Sequence, residues 1–280
     1  MKIAIISDVH IDLNPWDWSC LNVIDNQEDQ TDYVNTVIVA GDISNDVRMT
    51  SRWLVDLRDR FTNVIWVPGN HDFYNLGFSQ TRLYDADFEK KWPYPMTVPQ
   101  IYDHYIRWSE AHDIHMLHRS SFTLEGVTFV GATGWHDFVS GSPYSTEEQI
   151  ESWVDFINDA KHVNWGKSFD DKAVIAAATG DAESINNLVK SSTNPVVVVT
   201  HHIPYRTLAV SRPGDAIWTK LNGSFVNTLL ETIVDPKIKL WIYGHTHFRG
   251  MHDINGQTYL CNARGYRREN PSWEPIIIDV

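Results

Sequence analysis

The sequence predicts an α/β layered domain, and three observations predict it. Short β-branched runs recur along the 280 residues, amphipathic helical patterns fall between them, and polar residues gather directly after the runs. Strands that alternate with helices favour a largely parallel sheet covered by helices, because a parallel crossover needs a connecting segment long enough to hold one.

Taken in order, the strand candidates are Lys2–Ser7, Thr36–Ala40, Val64–Val67, Val127–Gly131, Val196–Thr200, Leu240–Tyr243, Thr258–Cys261 and Pro275–Val280. Their continuous apolar character reads as burial on both faces. The spacing of Trp53, Leu54, Leu57 and Phe61 predicts a helix over Ser51–Phe61, and Ile101, Tyr105 and Trp108 predict one over Gln100–Ala111. Ser145-Thr146-Glu147-Glu148 reads as a capped helix start, followed by Ile150, Trp153, Val154 and Ile157 on one face of a helix over Ser145–Ala160. A further short helix is expected over Phe225–Ile233. The chain is expected to form one domain over residues 1–280, with a mainly helical insertion or lid at about 138–192, because no Pro/Gly/Ser linker brackets that stretch.

Composition excludes several classes. With 23 basic and 36 acidic residues the formal charge is −13, which disfavours a long nucleic acid or an anionic membrane as partner. The two cysteines, Cys20 and Cys261, support neither a disulfide framework nor a thiolate metal site. The apolar run Ile3–Ile6 is too short for a signal peptide, and no stretch approaches the ~18 apolar residues of a membrane span. A cytoplasmic location is therefore expected. Oligomeric state is not readable from one sequence.

The residues directly after the strands carry the functional signal. The first strand ends in Asp8-Val9-His10, the second in Gly41-Asp42 and the third in Gly69-Asn70-His71-Asp72. Later strands end in Thr200-His201-His202 and Gly244-His245-Thr246-His247. Ligands of open α/β sheets bind beyond the carboxyl ends of strands, so residues far apart in sequence converge there. Carboxylate, imidazole and amide oxygen, without thiolate, suit divalent cations such as Mn, Fe or Zn. Two oxygens on one carboxylate, such as that of Asp42, can bridge two cations, and a metal pair can activate water for in-line displacement. Six of the thirteen histidines fall in these motifs.

The order Asp-x-His, Gly-Asp, Gly-Asn-His-Asp, His, Gly-His-x-His resembles that of the calcineurin-like metallophosphoesterase superfamily, over Lys2 to about Tyr266. The resemblance implies a four-layer αββα sandwich with a dinuclear metal centre at one edge of two sheets. It implies that Asp8, His10 and His247 hold one metal, that Asn70, His201 and His245 hold the other, and that Asp42 bridges them. His71 matches the family's catalytic histidine, which contacts phosphate and stabilises or protonates the leaving oxygen. Where the family often has an Asp to partner that histidine, this chain has Asn45, which puts the general-acid role in question. Thr133-Gly134-Trp135 and Cys261–Tyr266 resemble a bacterial and phage branch described mostly as predicted phosphohydrolases. Trp135, Arg264, Arg267 and His202 are the candidates for the substrate side, and Trp16 and Trp18 are candidate base-stacking faces above the metals.

The resulting expectation is a metal-dependent phosphodiesterase or phosphomonoesterase. It would act on a small phosphorylated, nucleotide-like substrate through in-line attack of a metal-bridging hydroxide. A protein Ser/Thr phosphatase is disfavoured because Asn45-Asp46-Val47-Arg48 departs from that group's Asp-Arg-Gly continuation, and a nuclease is disfavoured by the acidic charge. A catalytically silent metal-binding module is disfavoured by the intact ligand set and His71.

Overall fold

The computed structural model describes residues 1–21, 34–74, 95–138, 143–167, 170–209 and 219–280. Among them two sheets stack face to face. The first has the order β11-β1-β2-β3-β4, built from β1 (Lys2–Ile6), β2 (Thr36–Ala40), β3 (Asn63–Val67), β4 (His115–Met116) and β11 (Ile276–Asp279). The second has the order β5-β6-β7-β8-β10-β9. It comprises β5 (Ser120–Leu124), β6 (Val127–Gly131), β7 (Val196–Val199), β8 (Ile238–Tyr243), β9 (Gly250–Ile254) and β10 (Gln257–Cys261). β1 to β4 run parallel, as do β6, β7, β8 and β10, while β11, β5 and β9 are antiparallel edges.

The period-2 geometry of strands sorts the apolar residues into three cores. Ile3, Ile5, Ile38, Ile65, Val197, Val199 and Ile242 point between the sheets. Their neighbours Ala4, Ile6, Val37, Val39, Val64 and Trp66 face the opposite way, onto helices α1 (Val47–Arg58) and α2 (Val98–Ala111). On the far side Val130, Val196, Val198 and Trp241 meet Ala182, Ile185 and Val189 of α5 (Asp171–Ser191). Helix, sheet, sheet, helix is the αββα order, and each central strand needs apolar residues throughout because both of its faces are covered.

Local chemistry explains most element boundaries. α1 starts four residues before the expected Ser51, because Asp46 caps it by accepting from the Arg48 amide at 2.9 Å. α2 begins at Val98, with Pro99 in its first turn and the Gln100 side chain accepting from the Thr97 amide at 2.8 Å. The Ser145/Glu148 capping box forms as the sequence predicts and opens α3 (Thr146–Phe156). That helix does not continue to Ala160. Ile157 adopts ψ 133°, and a separate turn of helix, α4 (Asp159–His162), follows.

The expected helix over Phe225–Ile233 is replaced by two 3-10 turns, Asn222–Ser224 and Leu230–Thr232, flanking a β-bridge between Ile203 and Val226. Tertiary hydrogen bonds outcompete the helix there. The Thr228 amide and hydroxyl both donate to Asp137, and the Asn227 side chain donates to the Ala178 carbonyl. Within the stretch read as an insertion or lid, residues 139–142 and 168–169 lie outside the described residues. Its longest helix, α5, forms an outer layer of the sandwich.

β4, β5 and β9 have no counterpart among the strand candidates. β5 and β9 are edge strands in which no residue is fully buried. Glu125-Gly126 and Asn255-Gly256, all at positive φ, are their hairpin turns, and of the two the Asn-Gly pair is a hairpin signal present in the sequence. β11 is only half buried, contrary to the both-faces reading, because it is an edge strand.

His104 and His118 set an acid limit on this core. Burial pushes each down from 6.5 to about 4. His104 bonds Ser51 Oγ at 2.9 Å, and His118 stacks on Tyr102 at 3.8 Å. A histidine whose folded pKa is depressed binds its proton mainly in the unfolded chain, so stability is full above pH 6.5 and declines as pH falls from there towards 4. Denaturant titrations over this range should show a loss of about 2–3 kcal/mol per histidine, and His118→Phe should flatten the slope. An unchanged slope in that variant contradicts the assignment.

Candidate active site

The carboxyl ends of β1, β2, β3, β7 and β8 open onto one edge of the sandwich, and a parallel bridge between Ser7 and Ala263 ties the two sheets together there. Asp8, His10, Asp42 and His247 offer ligand atoms within 4.8 Å of one another. Asp42, His201 and His245 form a second such cluster. Asp42 belongs to both, and its two oxygens divide between them. Oδ1 lies 3.3 Å from His201 Nε2, while Oδ2 lies 3.7 Å from His10 Nε2. Asn70 joins the second cluster through Oδ1, 2.9 Å from His201 Nε2.

The backbone is bent to deliver these groups. Asp8, His10, Asp42, His245 and His247 all sit at φ between 41° and 72°. A non-glycine residue held left-handed costs of order 1–3 kcal/mol, so such strain must be held by its surroundings. Here the loops hold each other: Asp8 N–H donates to Gly41 O (2.9 Å), His10 N–H to Asp42 O (3.1 Å) and Gly265 N–H to Asp8 O (2.9 Å). Gly41 is itself at φ +82°, and a Cβ there would lie 2.5 Å from His201 Nδ1 and 2.6 Å from the Gly69 nitrogen.

Beneath them, the fully buried Asp72 carboxylate accepts from the amides of Asp42, Ile43, Ser44 and Gly69 and from Thr50 Oγ1, at 2.8–3.2 Å. Burial and the nearby Asp42 charge push its pKa up to about 7 against the pull of these donors.

The residues fit a metal pair. His201 Nδ1 faces the Ala40 carbonyl at 2.8 Å, which places its proton there and leaves the Nε2 lone pair for the cluster. His247 Nδ1 faces Glu269 Oε2 at 2.6 Å, which likewise frees Nε2. The Nε2 atoms of His10 and His247 face each other at 3.0 Å, and the buried Asp8 Oδ2 and His245 Nε2 have no hydrogen-bond partner among the described residues. Burial alone would depress His201, but the Asp42 carboxylate and its hydrogen bond raise it to about 9. Burial would raise Asp42, yet His201 and His71 hold it well below the usual carboxylate range. A carboxylate that holds a proton on a neighbouring imidazole this firmly also attracts a divalent cation, with release of that proton.

His71 stands beside the cluster. Its Nδ1 lies 2.7 Å from Asn45 Oδ1, its Nε2 lies 3.3 Å from the Tyr266 hydroxyl, and burial pushes it down to about 4. Asp46 is turned away to cap α1 and pair with Arg48.

A cavity of about 770 Å³ opens over the site. Asp42, Asn70, His71, His245 and His247 line it, together with Tyr74, Phe156, Phe225, Phe248 and Tyr266.

Several candidates for the substrate side lie elsewhere. Trp135 is 1% exposed and donates through Nε1 to Tyr102 Oη, so it is a core residue. Arg264 commits its guanidinium to the carbonyls of Val9, Asn14 and Pro15, where it fastens the loop after β1. His202 adjoins the second cluster, its ring 4.5 Å from that of His245, but it is fully buried among His136 and Trp135. Arg267 is exposed and does not line the cavity. Trp16 and Trp18 pack with Trp53 around a separate groove of about 690 Å³. The site also contains Tyr266, Glu269 and Asp159, which sequence reasoning did not single out. Tyr266 closes the Cys261–Tyr266 motif, but nothing in the spacing marks the other two, because a loop and a one-turn helix bring them in.

Residues 1–249 match the calcineurin-like phosphoesterase family, and the chain belongs to that family. It is therefore a metal-dependent phosphoester hydrolase of a family that uses divalent metals. It is 24% identical over 291 residues to the uncharacterized protein L509 of Acanthamoeba polyphaga mimivirus, covering 98% of this chain and 95% of that one. Its fold is similar to that of the phosphopantetheinyl hydrolase PptH from Mycobacterium tuberculosis, with a TM-score of 0.71, 18% identity, and coverage of 99% and 95% of the two chains. Among the described residues no helix is long and apolar enough to cross a membrane.

Two substitutions test how the site is held. Gly41→Ala should lower metal content per chain, read by elemental analysis, because the added methyl displaces His201 or Gly69. Glu269→Gln should weaken metal affinity about 10–100-fold, the usual effect of losing a carboxylate behind a ligating histidine. Unchanged affinity in that variant removes Glu269 from the metal's support.

Proposed function

We propose that the protein hydrolyses a small, nucleotide-like phosphodiester at a dinuclear centre, with Asp42 as the bridging ligand. Asp8, His10 and His247 serve one metal, and Asn70, His201 and His245 the other. The observation that carries this reading is the division of the two Asp42 oxygens between two ligand clusters. A bound metal pair supplies an activated water and clamps the attacked and leaving oxygens of an in-line displacement.

The cavity supports the substrate class. No Lys or Arg is among the described residues lining it, so among those residues phosphate charge is met only through the metals they hold. A diester, with one negative charge, suits that supply better than a monoester dianion. Phe156, Phe248 and Tyr266 are exposed at the cavity and offer flat faces to a base or another planar group. They replace Trp16 and Trp18 in that role.

His71 orients rather than protonates. Asn45 accepts the Nδ1 proton and Tyr266 donates to Nε2, so the ring is held neutral and in place beside Asp42. An amide orients an imidazole but does not stabilise its cation, so the leaving oxygen departs with little proton assistance, and good leaving groups are favoured.

Assays with manganese added should show faster turnover of bis-p-nitrophenyl phosphate than of p-nitrophenyl phosphate. Asp42→Asn and His247→Ala should each lower it by about 10³-fold or more, in keeping with electrostatic transition-state stabilisation. Retained turnover in both variants contradicts the dinuclear reading, and a monoester preference contradicts the diester assignment. Asn45→Asp places a carboxylate behind His71 and raises its pKa, so its imidazolium persists to higher pH and activity on alkyl-leaving-group diesters should extend further to alkaline pH. The same variant should speed alkyl-leaving-group diesters relative to nitrophenyl ones by about tenfold, a modest part of what general acids contribute. An unchanged ratio shows that His71 has no part in leaving-group departure.

A further inference from the structure

A third cluster of ligand-type side chains abuts the two that share Asp42, with the His202 ring 4.5 Å from that of His245. His136 follows β6, His202 follows β7, and Asp159 opens α4, and each offers a ligand atom within 4.8 Å of the other two. All three are buried, at 0%, 0% and 1% exposure. His202 Nδ1 faces the Thr133 carbonyl at 3.4 Å, which leaves Nε2 with its lone pair. That Nε2 lies 3.4 Å from His136 Nδ1. Ligand nitrogens around a tetrahedral zinc, at bonds of about 2.0–2.1 Å, are about 3.4 Å apart.

The Asp159 carboxylate is engaged on one oxygen only. Oδ1 accepts from Asn70 Nδ2 at 2.7 Å and from the Tyr74 hydroxyl at 2.5 Å, while the buried Oδ2 has no partner among the described residues. A buried carboxylate oxygen left unsatisfied costs free energy, and native folds rarely leave one without a partner.

We propose that His136, His202 and Asp159 form a third metal site, separate from the pair described above, that takes zinc or a similar borderline divalent cation. Two imidazoles and one carboxylate, without thiolate, are a ligand set such cations accept. One cation gives the imidazole lone pairs and the carboxylate a common partner. Packed aromatic rings enclose the histidines: Phe138 and Trp153 lie against His136, and Trp135 against His202. Asp159 also lines the active-site cavity, which provides the entry path. The ends of β6 and β7 are already paired in the second sheet, and the cation pins α4 to them. Through Asp159 Oδ1 it also fixes the Asn70 amide, whose other end faces His201.

The test is metal stoichiometry of the full chain saturated with zinc and then desalted. Three zinc ions per chain are expected in the wild type and two in His136→Gln. The double variant Asp42→Asn/His247→Ala should keep the ion at this third site, so failure of the dinuclear reading and failure of this one are distinguishable. An unchanged zinc count in His136→Gln, whatever the wild-type total, overturns the proposal. Anomalous diffraction at the zinc edge from wild-type crystals decides the matter if His136→Gln does not fold. A peak among His136, His202 and Asp159 supports the site, and its absence from zinc-soaked crystals overturns it.

Discussion

The buried carboxylate of Asp72 is the interaction on which the site's geometry rests. It gathers four backbone amides and one hydroxyl from the loop after β2, the turn after β3 and helix α1. Those amides end strands and turns whose own ladders have stopped, so they need an acceptor that regular structure no longer supplies. One side chain meets the need for three segments at once. The Asp42 carboxylate then emerges from a loop pinned at its own amide, and the Asp42 Oδ1 accepts in turn from the His71 amide at 2.9 Å. Loss of the Asp72 carboxylate would leave five buried donors unpaired, each costing about 1–3 kcal/mol, and would release both Asp42 and His71.

Strain explains why so much support is gathered there. Five of the seven proposed ligands have left-handed backbones. Side chains on extended strands alternate between faces, so consecutive ligands cannot all turn toward one point without such bends. The sandwich absorbs this strain because residues beside the ligands, Val9 and Ile43 among them, are anchored in its apolar core. The consequence is a narrow tolerance at Gly41, Gly69 and Gly244, where any side chain would enter space held by His201, Asp42 or Asp8.

The same physics decides how much of the molecule is legible in its sequence. Buried parallel strands must be apolar throughout, so β1, β2, β6 and β7 stand out, and the ligand-type residues are visible because each comes directly after a strand of this kind. Edge strands β5 and β9 mix polar and apolar residues and do not stand out. The Phe225–Ile233 segment has helical spacing, but Asp137, from a distant loop, claims the Thr228 amide. The substrate-side residues are the least legible. Arg264 looks like an anion contact in sequence and acts as a carbonyl clamp in the fold. Tyr266, two residues later, reaches His71 instead. Which of two neighbouring loop residues faces a cavity is decided by backbone turns such as the one at Gly265, φ +72°, and these have no periodic signature.

Electrostatics then makes anion binding conditional. The chain carries a formal charge of −13, and the described residues lining the cavity include Asp42, Asp159 and Glu269 but no Lys or Arg. The described lining residues thus supply no Lys or Arg to hold a phosphate. Two divalent cations carry four positive charges against the two carboxylates among their proposed ligands, Asp8 and Asp42, so the metal pair itself becomes the cationic point of the site. Substrate affinity is thereby tied to metal loading, and a partly loaded site has little to hold a phosphoester with. The polypeptide contributes orientation instead: Glu269 and the Ala40 carbonyl set two imidazole tautomers, Asn45 sets a third, and Asp159 sets the Asn70 amide. Charge comes from the cations and direction from the chain, which is why the residues behind the ligands matter as much to the chemistry as the ligands themselves.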